Sequence, residues 1–424
     1  MDIQLTSLGT ILALVVTIGL ILIRVAPAYA MMTGAVVGGI IGGATIIETV
    51  GLMVGGAEGM AGVILRVLAA GVLAGVLIES GAAKTIAESI LYKLGETKAL
   101  LAVAGATMVL TGVGVFIGVA VLTVAPIALS IAKRANLSKM AVLLAISGGG
   151  KAGNIISPNP NTIAAAEAFQ VPLTSVMLVG VVPAVAGLMM TFAIARKLRN
   201  VGAAVDESEL PNDVKGDAPS LAKSLSAPAV AIALLLLQPL AGIQVDPLFA
   251  LPIGGIVGAI VMGRAKHLNQ YITSGLEKMA GVAILLLGTG TLAGIIAHSA
   301  LIDQILIGID ALSLPAYFLA PIAGITMSAA TGSTAAATAV AGNVFAPTIL
   351  ELGIHALAGA AMVHAGATVL DHLPHGTFFH ITRASVGMDM KERMKLLPYE
   401  TLVGFAIVVV STLMFGVFGF LFFG

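Results

Sequence analysis

The chain contains no cysteine and no tryptophan, only 4% aromatic and 10% charged residues, and its 21 Lys and Arg are balanced by 21 Asp and Glu. Without cysteine there are no disulfides, thiolate metal sites or cysteine nucleophiles, and the redox compartment leaves no trace in the sequence. With no net charge there is no global basic field, and the nearly aromatic-free basic loops give nucleic-acid bases nothing to stack on. Strand-like alternation is missing too, which sets aside a β-barrel.

What is present is apolar sequence: 58% hydrophobic with a mean hydropathy of +1.07, against about 45–50% apolar and about 25% charged residues in soluble domains. Apolar runs such as Leu8 to Ile23, Val176 to Ile194, Ala227 to Ile243 and Leu402 to Phe423 each approach the length that crosses a hydrocarbon core of roughly 30 Å. The sequence therefore reads as an all-α polytopic protein of the cell membrane, with about 10–14 membrane segments and the lipid bilayer as its solvent. Leu8 to Ile23 lacks a basic n-region and an A-x-A site and runs into Arg24, so it reads as a first spanning helix and not a cleaved signal.

The chain repeats itself. "GVLIES" (Gly75 to Ser80), "TGVG" (Thr111 to Gly114), "VAP" (Val124 to Pro126) and "SPNP" (Ser157 to Pro160) are echoed 216 to 221 residues later by "GIIAHS", "TGST", "FAP" and "LPHG". Short cytoplasmic loops are enriched in Lys and Arg, which puts inside Lys84, Lys93, Lys98, Lys133, Arg134, Lys139, the polar stretch Arg196 to Lys223, Arg264, Lys266, Lys278, Arg383, Lys391, Arg393 and Lys395. Ala297 to Ala316, with Asp303 and Asp310 but no basic residue, then faces outside. A hairpin over Ala99 to Ala132 enters from the cytoplasm, and one over Pro315 to Leu350 enters from the opposite face. The expectation is two inverted repeats, residues 1–195 and 224–424, joined by a cytoplasmic linker at 196–223, each with a hairpin and a broken helix, the arrangement common among secondary transporters.

Four polar breaks interrupt the apolar sequence: Thr111 to Gly114, Ser147 to Thr162, Thr331 to Thr334 and Asp371 to Thr377. Non-helical backbone at membrane depth must be buried in protein or line a wet cavity, and the N-termini of half-helices suit anions. Lys151 in "SGGGKAGNIISPNPNT" is costly at the bilayer centre and must face a cavity or a partner. It is read as the counter-charge of an anionic substrate, with a buried ion pair to Asp371, near its symmetry position, as the bland alternative. Gly148 to Gly150 would let backbone and ligand approach closely. "GGGKA" is not a phosphate-binding P-loop, because G-x-x-x-x-G-K-[ST] is not met.

Asn154, Ser157, Asn159, Asn161 and Thr162 are further candidates for substrate contact, against capping and turn chemistry around Pro158 and Pro160. In the second half the candidates are Gly332, Ser333 and Thr334 at the hairpin tip, Gly376 and Thr377 in the second break, and Asn343 lower down. "VHAGATVLDHLPHGTFFH" gathers His364, His372, His375 and His380 around Asp371. No recognised ligand spacing appears there, so no metal or cofactor is read. Asp371 with His372 or His375 is the proton-coupling candidate. Glu48, Glu58, Arg66 and Glu79 are assigned to helix ends and loops, with Arg66 snorkelling.

These motifs resemble the gluconate permease family of bacterial sugar-acid symporters, within the wider ion transporter superfamily. The resemblance rests on "GGGKAGNIISPNPNTIAAA" (Gly148 to Ala166), "GSTAAATAVAG" (Gly332 to Gly342), "HLPHGTFF" followed by "GMDMKERMKLLPYET" (Gly387 to Thr401), and the hairpin "VFIGVAVLTVAPI" (Val115 to Ile127). It covers, loosely, most of Gly75 to Thr401. It implies a homodimer of elevator type, a scaffold part and a moving transport part, in a bacterial inner membrane. It implies proton-driven uptake of gluconate or a related hydroxy-carboxylate, with Ser157 to Asn161 and Gly332 to Thr334 at the substrate. Gly118, where the family often carries an acid, Lys151 and "DHLPHG" depart from the family's pattern.

The functional expectation is a secondary active transporter that symports a small organic anion with a proton, sodium being the other possible coupling ion. The alternative is a cation/proton antiporter of the same architecture, which would rely on acids, whereas Asp371 is the sole acid in the breaks. A channel fits the duplicated, interrupted helices less well. An enzyme is not expected, since no nucleophile, base and oxyanion set can be assembled.

Overall fold

The computed structural model describes residues 4–23, 25–95, 98–206, 218–301, 304, 307, 311 and 315–423. Arg24, Asp303, Asp310 and the 207–217 part of the polar linker, on which some expectations above rest, lie outside the described residues.

Among the described residues the fold is all helical, with two isolated bridges and no strand. Among the described residues, four helical stretches, Ala61–Glu79, Ile117–Arg134, Ala265–Ala297 and Met390–Val417, are long and apolar enough to cross a membrane, and seven shorter apolar helices of 10–17 residues accompany them. One group of helices forms a frame: Ser7–Leu22, Pro27–Ile41, Ile46–Glu58, Ala61–Glu79, Ser226–Ala241, Pro247–Val261 and Leu268–Ala297 pack on one another. Glycines set its close crossings: a Cβ on Gly75 would lie 2.8 Å from the Gly275 Cα, and one on Gly56 2.7 Å from the Gly294 Cα; small residues let membrane helices approach this closely.

The second group holds the hairpins and broken helices. The first hairpin is Ala99–Gly112 and Ile117–Arg134, and the second is Leu319–Thr331 and Thr334–Glu351. Their first limbs, 14 and 13 residues, reach only about 20 Å at 1.5 Å per residue, short of a full crossing. The first broken helix is Lys139–Asn154 followed by Pro160–Ala168, and the second is Ala356–Ala367 followed by Thr377–Ser385. Every repeated motif falls at an equivalent place: "TGVG" and "TGST" at hairpin tips, "SPNP" and "LPHG" in breaks.

The repeats exchange contacts reciprocally. Pro160–Ala168 packs on the long limb of the second hairpin, and Thr377–Ser385 on the long limb of the first. A Cβ on Gly342 would lie 2.6 Å from the Ala168 Cβ, and one on Gly118 would lie 3.3 Å from Ile381. The residue read as a departure at Gly118 is therefore a close packing contact.

Several connecting segments gather at one end of the molecule. Ser138 donates to the Leu198 carbonyl (2.7 Å), Lys139 Nζ to the Gly387 carbonyl (3.1 Å) and the Ala203 amide to Glu392 (2.7 Å). Of the basic residues read as cytoplasmic, Lys278 donates to Glu79 (2.8 Å) from within Leu268–Ala297, and Arg393 is fully buried. The polar segment Gly387 to Thr401 is continuous with the apolar span that follows it. Met390–Thr412 runs continuously through Pro398.

Candidate functional site

The two breaks meet in the interior. Helix Lys139–Asn154 delivers Lys151 near its C-terminus, and the chain leaving Ala356–Ala367 delivers Thr368, Asp371 and His372; all four are buried. The Lys151 ammonium donates to the Thr368 carbonyl (2.6 Å) and Asp371 Oδ1 (2.5 Å), and faces His372 Nδ1 (3.0 Å).

Nδ1 of His372 lies within reach of both members of the pair, 3.0 Å from the ammonium and 3.3 Å from Asp371 Oδ1. His372 Nε2 lies 3.0 Å from the Leu397 carbonyl and 3.1 Å from the Thr401 hydroxyl oxygen. The node is the Lys151–Asp371 ion pair, whose charges cancel, with the His372 imidazole against both members. Asp371 Oδ2 accepts from Thr334 Oγ1 (2.6 Å), which brings in the tip of the second hairpin.

In this structure the ion pair occupies Lys151, and its partners all lie within the protein. The three preceding glycines serve packing: a Cβ on Gly149 would lie 2.8 Å from the Ala104 Cα, one on Gly150 2.8 Å from Ile117, and one on Gly148 would run into Thr191. No ligand is needed to account for them.

Much of the first break is likewise engaged with itself. Asn159 caps Pro160–Ala168 by accepting from the amides of Asn161 (2.9 Å) and Thr162 (3.1 Å). Its Nδ2 donates to the Asn154 carbonyl (2.8 Å) and the Asn154 side chain (2.6 Å). The Thr162 hydroxyl donates to the Asn154 carbonyl at 3.4 Å. The capping pattern N-P-N-T was visible in the sequence. By contrast the hydroxyls of Ser147, Ser157 and Thr338 and Nε2 of His375 are buried with no protein partner.

The second break is built differently. Gly332 is left-handed (φ +59°), and a Cβ there would lie 2.8 Å from the Gly376 Cα and 3.0 Å from the His375 ring, so the hairpin tip and the break cross backbone to backbone. Ser333 accepts weakly from the Ala336 amide (3.4 Å) as the cap of its own limb. Thr377–Ser385 starts at Gly376 with no side-chain cap, and Thr377 is exposed at its first turn. Asn343 donates to the Ala339 carbonyl (2.8 Å) and faces Met60 of the frame, away from the node. His364 and Ser411 line a separate small cavity, and His380 packs edge-on against Phe379.

Two charged clusters had no signal in single segments. Arg393 and Glu400, two turns apart on Met390–Thr412, form a fully buried bidentate pair (2.5 and 3.2 Å), with the guanidinium 4.6 Å from the Phe379 ring centroid. Arg66, read as snorkelling, instead joins Asp246 (2.8 Å) to Glu167 (2.7 Å). These three residues line an open polar cavity of about 330 Å³ between the frame and the corner after Pro160–Ala168.

Paired repeats, interrupted helices and buried charge at the crossing of the breaks define a multi-pass membrane transporter. Residues 1–418 match the family model of the GntP family permeases, and the chain belongs to that family. It is 58% identical over 415 residues, 98% of this chain and 99% of the other, to an uncharacterized transporter of Haemophilus influenzae. Its fold resembles the crystal structure of the Alcanivorax borkumensis YdaH transporter, described as having an unusual topology, with a TM-score of 0.63 and 19% identity across 89% of each chain.

Proposed function

We propose that this transporter is a secondary symporter that carries one small hydroxy-carboxylate, gluconate or a related sugar acid, together with one proton in a bacterial inner membrane. The observation that carries the reading is the Lys151–Asp371 ion pair with His372 beside it, buried where both broken helices meet. A monoanion entering so enclosed a place adds an uncompensated charge, which is costly in a low dielectric. Uptake of one proton restores neutrality.

The chemistry follows from that balance. The substrate carboxylate draws the Lys151 ammonium from Asp371 and takes donors from the uncapped first turn of Thr377–Ser385 and from Ser157 and Thr338. Asp371, having lost its counter-charge, gains affinity for a proton, with His372 beside it as relay (3.3 Å). The hairpin-bearing group of helices then moves against the frame, in a homodimer. No step calls for a cofactor, and the protein is read as a carrier and not an enzyme. A second reading, a cation/proton antiporter, draws on the same pair, since a cation could replace Lys151 at Asp371 and the Thr368 carbonyl.

The test is uptake by the purified protein in proteoliposomes of gluconate, glycerate, hydroxybutyrate, lactate and citrate, under an inward proton gradient with and without sodium. Gradient-driven accumulation of a monocarboxylate is the expected result. Sodium-dependent proton movement with no acid accumulated would overturn symport in favour of the antiporter.

A further inference from the structure

The two hairpin tips occupy equivalent places in the repeats yet are fastened differently. In the first, Thr111 donates only to backbone carbonyls, those of Thr107 (2.9 Å), Met108 (3.2 Å) and Gly150 (3.2 Å). The position matching Thr334 is Gly114, which has no side chain and φ +102°. In the second, the Thr334 hydroxyl ends on the carboxylate of Asp371, itself paired to Lys151. A carbonyl accepts equally well whatever the charge around it. A carboxylate does not: ionised, it is roughly twice as strong an acceptor as a neutral group, and protonated it becomes a donor.

We propose that Thr334 is the positioning residue by which the second hairpin senses the charge on Asp371: the tip is tied while Asp371 is ionised and loosens when it is neutralised. The inference rests on the symport reading for the reason Asp371 changes charge, though the tie itself can be tested without transport.

The surroundings support a single charge-dependent fastening. Asp371 is faced by Lys151 from helix Lys139–Asn154 and by His372 beside it; His375 lies in the same break, and Glu400 with Arg393 on the helix that receives His372 Nε2. From the hairpin, Thr334 is the group that meets the carboxylate. Elsewhere the tip is held by the Gly332–Gly376 backbone crossing, by a long bond from the Leu370 amide to Ser328 (3.3 Å), and by His375 against the Ala329 backbone. Of these contacts only that of Thr334 has an acidic partner. It lies at the first turn of Thr334–Glu351, where loss of the bond frees the tip without unwinding the limb.

The absence of cysteine gives a clean experiment. Ala329→Cys introduces a single half-buried thiol in the last turn before the tip, and its rate of maleimide labelling reports how often the tip lifts. In that background Thr334→Val, which keeps the shape but removes the hydroxyl, and Asp371→Asn, which removes the charge, should each raise the rate at least threefold. Thr334→Ser should leave it unchanged, and the Val/Asn double variant should be no faster than the faster single one. Equal rates for Thr334→Val and the parent, or fully multiplicative effects of Val and Asn, would overturn the proposal. If Asp371→Asn fails to yield monodisperse protein, the Val and Ser pair still decides. The labelling contains neither substrate nor gradient, so a null result removes the tether and leaves symport standing, while failed uptake removes symport and leaves the tether.

Discussion

Lys151 and Asp371 stand 220 residues apart in the sequence and 2.5 Å apart in the structure. That interval is also the one separating "TGVG" from "TGST", so the duplicated chain has placed a cation in one repeat and its counter-ion at the matching place in the other. A buried pair of this kind contributes little net stability over an apolar replacement, but removing one member costs about 3–5 kcal/mol because the other is left uncompensated. We expect Lys151→Met or Asp371→Leu alone to destabilise the protein by about that amount. The double variant should recover most of it while abolishing gradient-driven uptake. Thermal unfolding in detergent and proteoliposome uptake of the same four proteins check the cycle. Retained uptake in the double variant would show that the pair is structural.

The Arg393–Glu400 pair is the control for that reasoning. It is as deeply buried, but it clamps Thr377–Ser385 to the last long helix, through Thr382 (3.3 Å) and Phe379. Arg393→Met should destabilise by about 3–5 kcal/mol, and Arg393→Met with Glu400→Leu should restore stability and keep proton-dependent uptake. Arg393→Lys should be destabilising too, since an ammonium cannot reproduce the bidentate, ring-stacked geometry.

How much of this the sequence disclosed depended on whether the signal lay within one segment. Pro158, Pro160, Pro374 and the glycines of the tips punctuate the chain locally, so breaks and hairpins could be placed from them. The duplication put Asp371 near Lys151. Arg66 could not be matched with Asp246 and Glu167, 180 and 101 residues away, because nothing in a spanning helix names a distant partner. Arg393 was hidden for another reason: a basic residue among Lys391 and Lys395 looks like a cytoplasmic loop, and its i+7 relation to Glu400 is meaningful only once the helix is known to run through Pro398. Thr377 and Asn161 were both read as candidates for substrate contact, but one is exposed and the other buried, a difference only the tertiary fold creates.

Asn159 holds the first break by two different atoms, which makes its role separable. Asn159→Asp keeps the oxygen that caps Pro160–Ala168 but loses the donor to Asn154, whereas Asn159→Ala loses both. Loss of a cap costs about 0.5–2 kcal/mol. The expectation is a larger fall in melting temperature for Ala than for Asp. Equal falls for the two variants would show that the contact to Asn154, and not the cap, fixes the break.

Gly332 and Gly376 make the tightest crossing between the second hairpin and its break, and the two positions differ in a way that a pair of substitutions resolves. Gly332 is left-handed, so Gly332→Ala carries both backbone strain of about 1–2 kcal/mol and a collision with Gly376. Gly376 has an extended backbone (φ −85°), so Gly376→Ala carries the collision alone. Both should weaken the protein, Gly332→Ala more, and the double variant should cost less than the sum because one displacement of the tip relieves both collisions. Calorimetric or fluorescence melting of the three variants measures this directly. Additive losses would mean that the backbones yield independently and that the tip is not wedged against the break.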